Sequence, residues 1–240
     1  MGSTCVKVAI LSKPGKGLGK YESKLKKKFK IVNKNPDIVF VFGGDGTLLL
    51  AEQKYPGVPK FGFSKGRLAF LMQEKCEKIE NCLRLIERGN FAVEEKIALE
   101  CEVGRAMNEI AIISPEPGKM IEPVIEIRKE KIPLRGDGII FATPTGSTAY
   151  SLAAGGPVLA PGIEGYTIVP LNSQKRLPPL VVNADETVRV KGDFLVVIDG
   201  LVQKKRKSLK IRVSEEPVRK VKMMDDFYSK LFSKLSTGIL

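Results

Sequence analysis

The chain has 240 residues, with 40 Lys and Arg against 27 Asp and Glu, four cysteines and no histidine. That length buries a large core in one domain or two, and a formal charge of +13 points to polyanionic company: nucleic acid, an anionic membrane or phosphorylated small molecules. The missing histidine removes Ser-His-Asp and Cys-His chemistry and argues against zinc, the absence of an apolar run near ~18 residues argues against a membrane span, and cysteines without a C-x-x-C pair suit reduced, buried thiols in a cytoplasmic protein.

Taken in chain order, Cys5 to Leu11 alternates toward an apolar strand, and Ser12 to Lys20 follows as a basic glycine loop whose spacing fits neither a P-loop nor a dinucleotide fingerprint. Leu18, Tyr21, Leu25 and Phe29 then recur at helical spacing with lysines on the other face. Ile38 to Phe42 is apolar without interruption, which reads as a strand buried on both sides. It runs into Gly43-Gly44-Asp45-Gly46-Thr47, a glycine turn opening a helix that reaches Lys54. Val58 to Phe63 is a third strand, and Cys76, Ile79, Leu83 and Ile86 mark an amphipathic helix that stops at Arg88-Gly89-Asn90. Strands alternating with helices predict a parallel α/β layer.

After Phe91 short alternating runs dominate, from Lys96–Val103 to Leu209–Val213, with turns about every ten residues. The expected organisation is therefore an α/β Rossmann-like domain over residues 1–89 and an all-β domain over 90–224. A last helix over 225–240, capped by Asp225 or Asp226, turns Phe227, Leu231 and Leu235 inward and packs back on the first domain.

Three stretches carry chemistry. Gly43, Gly44, Gly46 and Thr47 form a phosphate cradle at a helix start, where free amides bind anions. Asp45 is the oddity, since a carboxylate beside phosphates is repelled unless it binds metal or takes a proton. The second stretch is Asn108-Glu109: Glu can accept two ribose hydroxyl protons and Asn can read an amide or an adenine edge. Adjacent strand residues face opposite sides, so a shared ligand requires a bend or a strand end there. The third is Asp137 to Pro157, where five hydroxyls around Pro144 and Gly146 offer donors and acceptors and Tyr150 offers a ring to stack on a base. Asp199-Gly200 between two strands reads as a hairpin turn.

Together these residues resemble the NAD kinase family: GGDGT at 43–47, RAMNE at 105–109, DGIIFATPTGSTAYSLAAGGP at 137–157 and IDG at 198–200 stand in the family's order and spacing. The resemblance implies the NAD kinase/diacylglycerol kinase-like fold, with NAD bound where the two domains meet. It also implies transfer of phosphate from ATP or polyphosphate to the adenosine 2'-hydroxyl of NAD. Asp45 would be the catalytic base. Asp45, Gly46, Asn108, Glu109, Asp137, Thr148, Ala149, Tyr150, Ser151, Leu152 and Ala153 would bind the dinucleotide, with Lys119 and Arg135 at positions where the family often carries basic residues. A divalent metal, Mg2+, would accompany ATP with no ligands identified in the sequence, and the protein would be a homodimer or homotetramer with no membrane or nucleic-acid partner. The chain departs from the family pattern at Ser64 and Ala69 (usually Asn and Gly), at Leu50 (often Arg) and at Leu201 (often Gln).

Two other readings compete. A lipid or sugar kinase of the wider GGDGT group leaves residues 143–157 unexplained. A dinucleotide sensor or RNA-binding protein would use the lysine runs at 24–30 and 204–207, where Phe29 is the sole aromatic ring.

Overall fold

The computed structural model describes residues 6–12, 18, 20–64, 69–175, 177–222 and 227–236. Most of the glycine loop after Ser12, the segment Lys65–Leu68 and the expected cap at Asp225 or Asp226 lie outside the described residues. The chain divides into two compact units.

The first unit is α/β. Its elements are β1 (Lys7–Ser12), α1 (Lys20–Lys28), β2 (Lys30–Ile31), β3 (Ile38–Gly43), α2 (Asp45–Lys54), β4 (Lys60–Ser64), β5 (Glu74–Lys75), α3 (Ile79–Glu87) and β6 (Ala92–Lys96). The apolar run of β3 is buried throughout because it lies inside a sheet, parallel to β1 on one side and β4 on the other. Leu25 and Phe29, with Ile79, Cys82, Leu83 and Ile86 of α3, share one core with Phe40, Phe42, Phe61 and Phe63. The Phe42 and Phe63 rings stack at 5.2 Å between centroids. In the order β2-β1-β3-β4, strand neighbours of β1 lie on both sides of it. The sheet order therefore reverses at β1 and β3, and open α/β sheets bind ligands at the carboxyl ends of strands beside such a reversal. The glycine turn stands at the carboxyl end of β3.

The far end of α2 is tied down by a buried ion pair. Lys60 of β4 donates to the Glu52 carboxylate and, at 2.6 Å, to the Tyr55 carbonyl, while the Gly57 amide donates to Glu52 at 3.3 Å. A paired, hydrogen-bonded charge is tolerated in a core where a lone one is not. The result is a helix fixed at its carboxyl end, with Asp45 at its other end.

The second unit is antiparallel β. It holds β7 (Leu99–Cys101), β8 (Gly104–Ala106), β9 (Glu109–Ile113), β10 (Val124–Ile127), β11 (Glu130–Pro133), β12 (Gly138–Ala142), the four-residue α4 (Tyr150–Ala153), β13 (Gly165–Leu171), β14 (Leu180–Asn183), β15 (Val188–Ile198) and β16 (Val202–Val213). The sheet order is β14-β13-β12-β9-β15-β16-β7-β8, with β10 and β11 joined to β15. Alternate residues of these strands, including Ile110, Ile112, Ile139, Phe141, Tyr166, Val196 and Ile198, form its core. Strand β15 is long, running unbroken from Val188 to Ile198. Its pairing with β16 shifts between Lys191 and Phe194, where Gly192 has φ of 141°.

Two expectations about domain organisation need correcting. The boundary falls between Lys96 and Ile97, because β6 pairs antiparallel with β17 (Val218–Lys222), which returns to the first sheet beside β4. Period-two sequence is the same in either sheet, so the change of texture at Phe91 marks the first of the alternating strands and not a change of unit. The last helix, α5 (Phe227–Ser236), groups with the second unit rather than packing back on the first. Its Leu231 is buried but Leu235 is exposed, and Lys234 donates to the Thr148 carbonyl at 2.5 Å.

Cys76 and Cys82 are buried and Cys101 is half-buried, and none of the three is in a disulfide among the described residues. Among the described residues no helix is long and apolar enough to cross a membrane.

Candidate active site

In the first unit the glycine turn exposes backbone. Gly44 is the N-cap of α2 and, having no side chain, leaves the first helical amides uncapped. Among the described residues a Cβ on Gly44 or Gly46 would meet nothing within 4 Å, so an incoming group can approach this backbone closely. Gly43 is glycine for a different reason: a Cβ there would lie 2.3 Å from the Thr47 hydroxyl. Thr47 itself is buried and therefore supports the turn.

Asp45 is half-buried in the first helical turn, and its carboxylate is held in place. The Leu71 amide donates to Oδ1 at 2.8 Å and the Phe70 amide to Oδ2 at 3.1 Å. The segment that carries these amides is anchored by Gln73, which accepts from the Gly62 amide at 2.7 Å and donates to the carbonyls of Lys60 and Val221. A carboxylate has about four acceptor positions, so two amides orient Asp45 and leave capacity for a hydroxyl proton.

In the second unit Asn108 and Glu109 sit where the chain enters β9. Asn108 precedes the strand and Glu109 begins it, which meets the requirement for a strand end if both are to serve one ligand. The backbone here is fastened from two directions. Asp199, buried in the turn between β15 and β16, accepts the amides of Met107 at 2.9 Å, Asn108 at 2.8 Å and Glu109 at 3.1 Å. The opposite groups are taken by Thr143, whose amide donates to the Asn108 carbonyl at 2.9 Å and whose hydroxyl donates to the Met107 carbonyl at 2.7 Å. Gly146 lies so close that a Cβ would fall 2.1 Å from the Asn108 carbonyl oxygen.

The side chains end differently. Asn108 and Glu109 are 6% and 8% exposed, yet Asn108 Oδ1 and Glu109 Oε2 have no hydrogen-bond partner among the described residues. A buried polar atom left unpaired costs about 1–3 kcal/mol, and such a cost in a native protein points to a partner supplied from outside. Burial, with the Asp199 charge adding to it, pushes the Glu109 carboxyl up from 4.5 to about 8. Glu109 therefore carries its proton at neutral pH and can donate as well as accept.

The turn from Thr143 to Ala153 corrects one expectation. Its hydroxyls were expected to face a ligand, but most have hydrogen-bond partners within the second unit. Ser147 donates to the Pro144 carbonyl, Thr148 to the Thr145 carbonyl, and Ser151 is buried 3.4 Å from the Thr167 hydroxyl. A sharply turned backbone leaves carbonyls without strand or helix partners, and the nearest hydroxyls satisfy them. Tyr150, 47% exposed at the start of α4, is the large side chain this turn presents outward; Ala149 and Leu152 are half-buried and Ala153 is exposed.

Lys119, Arg135 and Asp137 do not join this cluster within the chain. Asp137 precedes β12 and Thr143 follows it, a separation of about 20 Å at strand geometry. Asp137 accepts from the Asn172 amide nitrogen at 2.7 Å, Arg135 pairs with Glu122 at 3.2 Å, and Lys119 pairs with Glu116 at 2.5 Å. Asp199, by contrast, was read from sequence as a hairpin residue alone. The IDG resemblance was the one signal that could have brought it to the site. Among the described residues no group of three or more Cys, Asp or Glu could hold a metal ion. Of the departures from the family pattern, Leu50 and Leu201 are exposed, while Ser64 is buried with its hydroxyl directed at the Glu74 carbonyl.

Residues 107–223 match the model of the ATP-NAD kinase C-terminal domain. That span contains Asn108, Glu109, the 143–153 turn and Asp199, and leaves Asp45 outside. The NAD kinase of Methanothermobacter thermautotrophicus is 36% identical over 226 residues, covering 87% of this chain and 79% of that protein. The chain belongs to the NAD kinase family. A second NAD kinase, from Thermotoga maritima, is 34% identical over 212 residues, covering 84% of this chain and 82% of its own. Among solved structures, an NAD kinase from Archaeoglobus fulgidus in complex with ATP superposes with a TM-score of 0.85 at 29% identity, covering 96% of this chain and 99% of that one. Yeast NADH kinase complexed with NADH shares the fold, with a TM-score of 0.87 at 18% identity over 97% of this chain and 88% of that one. The α/β unit followed by the antiparallel β unit is thus the NAD kinase fold, as the resemblance implied.

Proposed function

We propose that the protein phosphorylates the 2'-hydroxyl of the adenosine ribose of NAD, with ATP or polyphosphate as donor, and releases NADP. The observation that carries this reading is Asp45: an oriented carboxylate with spare acceptor capacity, set in glycine backbone that a phosphate can approach.

In this reading the first unit supplies the base and the donor-binding backbone. The ribose oxygen attacks the terminal phosphorus, the new oxygen–phosphorus bond forms as the bond to the leaving ADP breaks, and Asp45 takes the hydroxyl proton. The uncapped amides of α2 face the negative charge of the donor. Phosphoryl transfer asks the protein mainly for positioning and charge neutralisation. The second unit supplies the receptor for the dinucleotide. Asn108 and Glu109 meet hydroxyl or amide groups of NAD with the oxygens now unpaired, and Tyr150 stacks on a base, with Thr148 to Ala153 around it. Mg2+ held by the ATP phosphates would help to neutralise their charge. A cytoplasmic homodimer or homotetramer completes the reading.

The test is incubation with NAD, ATP and magnesium, with NADP read by a strictly NADP-dependent dehydrogenase. Parallel arms with polyphosphate and with NADH define donor and acceptor. NADP well above background is expected; none from any donor would defeat the reading.

A further inference from the structure

Asp199 has no part in the proposed transfer of phosphate, yet it is closely held within the second unit. It is 5% exposed, its own φ is 49°, and it accepts three consecutive amides from a segment about ninety residues earlier. Its own amide donates to the Glu109 carbonyl at 3.0 Å. With Gly200 at φ of 69° and the Leu201 amide closing on the Ile198 carbonyl, the turn is complete without the carboxylate, which a plain hairpin does not need to bury. We propose that Asp199 is a positioning residue for dinucleotide binding, which acts by locking the Met107–Glu109 backbone so that the Asn108 and Glu109 oxygens stand ready for the ligand.

The lock explains how two buried polar atoms stay unpaired. A flexible segment would turn Asn108 and Glu109 toward internal partners; three charge-assisted amide bonds on one side and Thr143 on the other hold the backbone. The fixed negative charge has a second consequence. Strand β12, opposite β9, is apolar; the neighbouring turn contributes Tyr150, and α5 contributes Lys234, which donates to the Thr148 carbonyl. Asp199 is the charge that bears on Glu109, so it helps to keep that carboxyl protonated. The ligand accordingly meets an acid rather than a carboxylate at Glu109.

The inference rests on NAD being the ligand, and titration calorimetry of NAD without ATP separates it from the question of turnover. In Asp199→Asn the oxygen can keep the Asn108 and Glu109 bonds, but the new amide opposes the Met107 amide. The expected result is NAD affinity reduced about 10-fold or more, the weight of charge-assisted hydrogen bonds, while kcat at saturating NAD stays within about threefold. The inflection near pH 8 in wild-type affinity should also move to lower pH, because the neighbouring charge is gone. A purely structural loss would weaken binding equally at all pH values, and unchanged affinity together with an unchanged profile would overturn the proposal. Should Asp199→Asn fail to fold, Thr143→Val decides, because it removes the hydroxyl that fastens the Met107 carbonyl from the other side. Weaker NAD binding with kcat retained supports the proposal, and unchanged NAD affinity overturns it. A wild type that binds NAD but makes no NADP counts against the proposed reaction and leaves the role of Asp199 standing.

Discussion

The glycine turn around Asp45 and the Asn108–Glu109 segment are built on opposite principles. At the turn, backbone is bare, no described residue lies within 4 Å of where side chains on Gly44 or Gly46 would be, and the Asp45 carboxylate is half-exposed and already hydrogen-bonded. At the other segment the side chains are buried, the backbone is fastened on both sides, and two oxygens are left without partners. The first arrangement suits a donor whose charge must be met by amides and water; the second suits one ligand in one pose. A region that carries unsatisfied groups gives up stability for pre-organisation, whereas a region of open glycine gives up little.

The largest expected consequence of this difference follows from one methyl group placed in each region. Gly146→Ala drives a Cβ into the Asn108 carbonyl, which is backbone and cannot swing aside. It should destabilise the second unit by about 1–3 kcal/mol. It should also weaken NAD binding by about 100-fold, the scale on which a misplaced contact group acts. Gly46→Ala enters open space, and thermal melting should register less than about 1 kcal/mol, with helix propensity in its favour. Equal damage from both substitutions would erase the contrast.

Glu109 provides the next test. Its folded value of about 8 lies above its ordinary 4.5. Below 4.5 both folded and unfolded chains hold the proton and there is no penalty. Between the two values the unfolded chain releases it while the folded chain retains it, so stability falls by up to about 1.4 kcal/mol per pH unit, and above 8 the loss is complete. Glu109→Gln has no proton to lose. Relative to wild type it should gain roughly 3 kcal/mol between pH 5 and pH 8 in denaturant titrations. A gap between the two proteins that does not change with pH would mean that Glu109 ionises normally.

The smallest effect belongs to Tyr150. A ring this exposed contributes little to folding, so Tyr150→Ala should leave the melting temperature unchanged. Loss of a stacking contact of about 0.5–1.5 kcal/mol should raise KM for NAD by about 2- to 12-fold. An unaltered KM would remove Tyr150 from the receptor.

The same contrast explains what the sequence disclosed. The glycine turn and the 143–157 block were legible because their signals are local: buried strand, glycines, helix start, and a dense set of turn residues. The place of Asn108 and Glu109 at a strand end was legible as a requirement. The role of Asp199 was hidden, since a hairpin already accounts for Asp-Gly and its three amide partners lie some ninety residues away. The hydroxyls of residues 143–151 misled for a related reason, because composition shows donors without showing which backbone carbonyls will claim them. The return of β17 to the first sheet was likewise invisible, as alternation names a strand but not its neighbour.

Steady-state kinetics of Asp45→Asn beside Asn108→Ala test the division of labour most directly. The account predicts that Asp45→Asn lowers kcat by about 10²–10⁴-fold, the range for a general base, with little change in KM for NAD. Asn108→Ala should instead raise KM by roughly 5- to 150-fold, the cost of a buried hydrogen bond lost, with kcat nearly intact. A reversed pattern, or an Asp45→Asn protein as fast as wild type, would contradict it.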